Sequence, residues 1–175
     1  MIDRHSIASV SFTILGTIFH WKVICQPSVA LHSTDAEICG FCVGAKTIQH
    51  FCPLMEALGV PVHLTTPTDA APGHEDNQPT IDIIKAGKVT TRVKHIAMPV
   101  AHLNEHCFCN MVAPIHMDTK IQPADMGTKP LTGPLLHDHF CNARGVQHCP
   151  PENSEHCKLL ELHLCNPKDL CLHAS

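Results

Sequence analysis

At 175 residues the chain is long enough for one domain with a buried core and a tail beyond it. Its 44% apolar and 16% charged residues exclude a disordered polyelectrolyte, and a net charge of −4 excludes a global basic field, so any nucleic-acid binding must come from a local patch. Eleven cysteines and 16 histidines stand beside three arginines and no tyrosine. A cysteine share of about 6% falls short of the ~8–10% that marks short disulfide scaffolds, so reduced thiols and an intracellular location are the simpler expectation. Single transitions turn Tyr and Arg codons into His and Cys codons. The imbalance therefore fits either metal or disulfide chemistry or a coding sequence drifting under weak selection.

Residues 7–19 form an apolar run after Arg4 and His5, and Ser28-Val29-Ala30 supplies small residues for cleavage, so a signal peptide is one reading. Against it, Asp3 cancels Arg4, while Ser6, Ser9, Ser11 and Thr13 dilute the run, which is too short to span a bilayer as a helix. A β-hairpin fits better. Val10, Phe12 and Ile14 alternate with smaller or polar residues, Gly16-Thr17 can turn, and residues 18–24 continue extended until Gln26-Pro27.

Ser33-Thr34 then opens a helix, with Thr34 and Glu37 at capping-box spacing. Ile38, Phe41, Cys42, Ala45, Ile48, Cys52, Met55 and Leu58 follow the helical period. Gly40 and Gly44 weaken this helix, Pro53 is expected to kink or divide it, and Gly59 ends it. Residues 60–64 can form a short strand, and residues 65–74 read as loop. A short helix is expected from Asn77 to Gly87, with Pro79 in its first turn, and a third helical stretch over residues 91–106, interrupted at Pro99. Residues 112–117 are a strand candidate, with Pro114 implying an edge position or a poor strand, and residues 122–128 suit a further short helix. From Pro130 onward only residues 155–164 look helical. The expected organisation is a domain over residues 1–131 and a tail of uncertain structure over residues 132–175. The element order fits a mixed α/β fold with helices on a sheet.

Three acids stand out: Glu37 in the first turn of a helix, Asp76 after a strand-like or loop segment, and Asp125 in a late helix. Singly, they read as a capping residue, a turn former and an exposed helix residue. Their surroundings say more. The run DRHSIASVSFTILGTIFHWKVICQPSVALHSTDAE over residues 3–37 resembles the copia-type run in which DRRS leads through a hairpin to SWKS, QPTVALSS and TEAE. EDNQPTIDIIKAG from Glu75 resembles that family's DNQSAI segment, TTRVKHIAM from Thr90 is similar to SRTKHID, and MDTKIQPADMGTKPL from Met117 looks like the stretch ending ADxxTKPL. Four motifs in the family's order, across residues 3–131, make the chain resemble the ribonuclease H region of a copia-type LTR retrotransposon polyprotein.

The resemblance implies an RNase H-like mixed sheet flanked by helices. It also implies cleavage of the RNA strand of an RNA–DNA hybrid during reverse transcription, with two Mg²⁺ ions and the reverse transcriptase part of the same polyprotein as partner. Two metals about 3.5–4 Å apart activate the water and stabilise the leaving oxygen, and hard Mg²⁺ calls for clustered carboxylates. By motif position these are Glu37, Asp76 and Asp125. The family carries a fourth carboxylate on a first strand upstream of DRRS. Here that strand is expected to be missing, since Asp3 matches the DRRS position and is no substitute. Unpaired strand edges and an impaired site would follow. Ile38 where the family usually has Tyr, and His5 where it has Arg, fit the drift idea, so an inactive, decayed or truncated copy is expected rather than a working enzyme. The alternatives are a non-catalytic nucleic-acid-binding or inert remnant, and a secreted Cys-rich protein. Lys85, Lys88, Arg92 and Lys94 could contact hybrid phosphates or form a solvated basic face. His95 is expected to pack rather than react. Cys39-x-x-Cys42, Cys107-x-Cys109 and the His137, His139, Cys141 group offer zinc ligands, but a lone CxxC on an apolar helical face is weak. No membrane partner is expected.

Overall fold

The computed structural model describes residues 5–14, 17–27, 29–59, 70–89, 91–143 and 170–174. The expected hairpin is present as β1 (Ile7–Ile14) and β2 (Thr17–Cys25), antiparallel from Ile7↔Cys25 to Ile14↔Thr17 with an irregularity between Phe12 and Thr13. Ala8, Val10 and Phe12 are buried, and so are Ser9, Ser11 and Thr13 between them. The second face is closed by a 3-10 turn. A Cβ on its Gly127 would meet Ser9 Cβ at 2.8 Å, so both residues must be small for the turn to lie on the strand.

Helix α1 (Ser33–Ala57) covers the other face of β1. Ile38, Phe41, Cys42, Ala45, Ile48, Cys52 and Met55 are all buried, whereas Leu58, the last residue of the expected stripe, lies beyond the helix end and is exposed. Each large side chain among them contributes roughly 1.5–3 kcal/mol by leaving water. The helix starts differently from expectation. His32 is the N-cap, and Asp35, not Glu37, reaches back to accept the His32 backbone N–H at 3.1 Å. Thr34 lies inside the helix, and Glu37 is left without a capping role. Pro53 does not divide α1, which continues through it for one further turn.

The expected strand over residues 60–64 lies outside the described residues. Of the expected loop over residues 65–74, the last part is strand β3 (Ala71–Glu75), a correction with a packing cause. Ala71, Gly73, His74 and Glu75 are buried, and a Cβ on Gly73 would collide with the Phe41 ring and meet Val112 Cγ1 at 2.9 Å. The composition that reads as loop is what lets the backbone pass beneath α1. Helix α2 (Gln78–Ala86) follows, its N-cap Asn77 accepting from Thr80 N–H and its C-cap Gly87 left-handed at φ 65°, matching the sequence reading. The expected helix over residues 91–106 is a 3-10 segment (Thr91–Ile96) leading into α3 (Ala97–Phe108), where Pro99 sits in the first turn and interrupts nothing. Strand β4 (Val112–His116) pairs parallel with β3 from Ala71↔Val112 to Glu75↔His116 and lies at the sheet edge, as Pro114 requires. The expected helix over residues 122–128 is a 3-10 turn (Pro123–Gly127), preceded by another over Thr119–Ile121.

Beyond residue 131 the chain departs from an appendage. Helix α4 (Gly133–Ala143) forms where no helix was expected, and β5 (Leu170–Ala174) enters the sheet. The helix expected over residues 155–164 lies outside the described residues. The sheet order is β2-β1-β5-β3-β4, so β5 occupies the central position. It pairs antiparallel with β1 from Val10↔Ala174 to Ile14↔Leu170, and parallel with β3 at Gly73↔Leu172 and His74↔His173. The edges expected to lie unpaired are thereby closed by the far end of the same chain. Helices α1, α2 and α3 bury a common core against the sheet, including Ile84, Val100, Leu103 and Val112. The protein is a mixed α/β domain with antiparallel and parallel pairs in one sheet. Among the described residues, no helix is long and apolar enough to cross a membrane.

Candidate carboxylate site

Strand β3 ends in Glu75 and hands over to Asp76, which places two acids at the C-terminal edge of the parallel pair. The segment after β4 is strapped to this end. Met117 N–H donates to the Glu75 carbonyl at 3.0 Å, Gln122 Nε2 to the His74 carbonyl at 3.3 Å, and Thr119 Oγ1 to Asp76 Oδ2 at 2.9 Å. These bonds hold the 3-10 turn that carries Asp125 beside β3. Helix α1, freed of a capping duty at Glu37, contributes that side chain to the same place.

The electrostatics register the convergence. Burial pushes the Glu37 carboxyl up from 4.5 to about 7; neighbouring Asp76 and Asp125 push the same way and Lys129 pulls against them. Glu75, fully buried, is pushed up to about 9 by burial first and then by Glu37 and Asp76, while the Asn77 backbone N–H opposes by donating to its Oε1 at 3.1 Å. Lys129 is the counter-charge: its Nζ lies 2.7 Å from Asp125 Oδ2 and 3.8 Å from Asp76 Oδ2. Asp125 is 2% exposed, Asp76 16% and Lys129 44%, so the ammonium reaches the acids from the solvent side. Asp125 Oδ1 and Glu75 Oε2 are buried without a hydrogen-bond partner.

Asp76 and Asp125, singled out from separate motifs, thus lie near enough to Glu37 to raise its carboxyl, and Lys129 pairs with both of them. Glu75 and Lys129 belong to this cluster and were not singled out, although both stand inside the quoted motifs EDNQ and TKPL. Only a tertiary contact gives them a role.

Lys85, at the last turn of α2, lies about 10 Å along the helix from the Asp76 end. Lys85, Lys88 and Lys94 are exposed, and the Arg92 side chain falls outside what is described. His95 Nε2 sits 2.8 Å from Asp35 Oδ2, tying the 3-10 segment to the start of α1, in keeping with packing rather than chemistry.

A hard divalent cation suits these donors by chemistry, being all carboxylate, with one buried oxygen of Asp125 unpartnered. As the side chains stand it does not suit them by arrangement: among the described residues, no three His, Cys, Asp or Glu side chains are grouped to hold a metal ion. The same statement covers the zinc candidates. Cys39 and Cys42 lie on α1 with their thiols pushed up by burial, Cys107 is pushed up to about 11 by burial, and Cys141 Sγ is 3.8 Å from the His137 ring nitrogens. Cys25, Cys39, Cys42, Cys52, Cys107, Cys109 and Cys141 are free thiols. No protein-family model, curated protein or solved structure matches the chain.

Proposed function

We propose that this chain is an RNase H-like domain of copia-type retroelement descent whose nuclease site no longer turns over. One observation carries the reading. Three acids selected on motif position, far apart in sequence, come close enough at one end of a sheet that Asp76 and Asp125 add to the burial that raises the Glu37 carboxyl. A chance trio of a cap, a turn former and a surface residue would have no reason to meet.

Two features favour an inactive site. The central strand of the sheet is Leu-Cys-Leu-His-Ala, which brings no carboxylate to the middle of the acidic end. The cluster is also compensated by its own lysine, whose ammonium pairs with both Asp125 and Asp76. With Mg²⁺ bound, such a site would gain an activated water and charge stabilisation. Without that grouping, the residues can hold protons and a lysine ammonium, and no hydrolytic step follows from their positions. Lys85, Lys88 and Lys94 leave a salt-sensitive phosphate contact open to this fold, with RNA–DNA hybrid as the ligand.

The test is cleavage of an end-labelled RNA–DNA hybrid by the folded chain with Mg²⁺ and with Mn²⁺, beside Asp76→Asn. No cleavage above the Asp76→Asn level, together with salt-sensitive retention of the hybrid in a gel-shift assay, is the expected result. Cleavage that Asp76→Asn abolishes would establish an active site and overturn the inactive reading. Absence of both cleavage and retention would remove the nucleic-acid reading.

A further inference from the structure

Lys129 deserves a role of its own, because it is the one described cation whose ion pairs lie within the acid cluster. Its stem leaves from the residue four after Asp125, just past the 3-10 turn, and its ammonium crosses to both Asp125 Oδ2 and Asp76 Oδ2. The contact has consequences for each acid. Asp125 is nearly fully buried, so its second oxygen would have little water to compensate it if the ammonium withdrew, and its first oxygen already has no partner. Asp76 is held from the other side by the Thr119 hydroxyl on the same Oδ2. Asp125 therefore keeps a buried, unpartnered carboxylate oxygen, and the one positive charge among the described residues that pairs with it and with Asp76 is tethered to the chain.

From this we infer that Lys129 is a displaceable internal counter-ion, occupying the shared side of Asp76 and Asp125 and blocking a divalent cation from joining them. The inference rests on reading these acids as a hard-cation site, and it explains why carboxylates of suitable chemistry are not grouped around an ion. An ammonium satisfies two carboxylate oxygens with one charge and no demand on coordination number, whereas a divalent ion needs six or more oxygens in a shell. Lysine on four rotatable carbons can swing out to solvent, and at 44% exposure its path is open. Removing its charge should leave two neighbouring carboxylates uncompensated and make the cluster a better cation site, at some loss of intrinsic stability.

Mn²⁺ is the probe, read by the loss of its free-ion electron paramagnetic resonance signal on titration with the full chain. Lys129→Met, which keeps the stem and drops the charge, should bind Mn²⁺ about tenfold or more tightly than the unaltered chain, a gain expected from removing one nearby positive charge. Lys129→Arg, which keeps the charge, should bind no more tightly than the unaltered chain. Equal affinity for Lys129→Met and the unaltered chain, both weakened by Asp125→Asn, would overturn the counter-ion role while leaving the acids a cation site. No binding by any variant would overturn both this inference and the reading of the acids beneath it. Should Lys129→Met fail to fold, the unaltered chain still decides the matter. With its lysines ¹³C-dimethylated, the Lys129 methyl resonance should move on Mg²⁺ addition toward the position of a solvent-exposed lysine, and a resonance that stays fixed while Mg²⁺ binds would refute displacement.

Discussion

Replacing Glu75 by glutamine should flatten the dependence of stability on pH. Glu75 is fully buried at the end of β3, and its folded carboxyl titrates at about 9 against 4.5 when unfolded. Between those values the folded chain keeps a proton that the unfolded chain gives up. Stability is therefore fully present below pH 4.5 and falls as pH rises, until the folded group itself ionises. At about 1.4 kcal/mol per pH unit, the loss reaches roughly 3 kcal/mol by pH 7 and on the order of 6 kcal/mol across the whole window. Glutamine mimics the protonated acid and can keep the bond from the Asn77 N–H to Oε1, but its amide adds N–H donors where Glu75 Oε2 has no partner, a pH-independent cost of about 1–3 kcal/mol. The slope is therefore the quantity to compare, since that offset cancels from it. Urea unfolding at pH 5, 6, 7 and 8 should show the unaltered chain losing about 1 kcal/mol per pH unit more than Glu75→Gln. Histidines and Glu37 contribute equally to both curves. Parallel slopes would mean that Glu75 ionises normally, and the reasoning from burial and like charge would fail.

Other outcomes follow from the packing. Gly73→Ala should destabilise by about 1–3 kcal/mol, because the new methyl group meets the Phe41 ring and Val112; an unchanged thermal midpoint would show that β3 does not run so close beneath α1. Leu172→Pro, in the central strand opposite Phe12, should cost about 3 kcal/mol or more and speed amide exchange in β1 and β3. Protection in those strands equal to that of the unaltered chain would show that residues 170–174 do not complete the sheet.

Much of the fold was legible because local patterns and tertiary packing agree. The stripe from Ile38 to Met55 is a helix with one buried face, Asn77 and Gly87 bound α2, and Pro114 keeps β4 at an edge. The misreadings share a cause: the deciding interaction was not local. Ala-Pro-Gly-His-Glu looks like a loop until α1 is laid over it, where only Gly73 fits. Leu170–Ala174 looks like the end of a tail until β1 and β3 need a strand between them. Thr34 and Glu37 have capping-box spacing, but His32 and Asp35 form the cap, with His95 from a later segment holding Asp35 in place. In the site, motif position is what singled out Glu37, Asp76 and Asp125. It could not mark Glu75, whose role is to be buried beside two of them, or Lys129, whose role is to neutralise them.

The account turns on Glu37, Asp76 and Asp125 forming one site, and the titration of Glu37 by carboxyl-carbon NMR tests that most directly. In the unaltered chain its midpoint should lie near 7, fall in Asp76→Asn as a repelling charge is removed, and rise in Lys129→Met as an attracting one is lost. A Glu37 midpoint near 4.5 that neither substitution moves would mean that the three acids do not meet, and the proposed nuclease ancestry of the site would lose the observation that carries it.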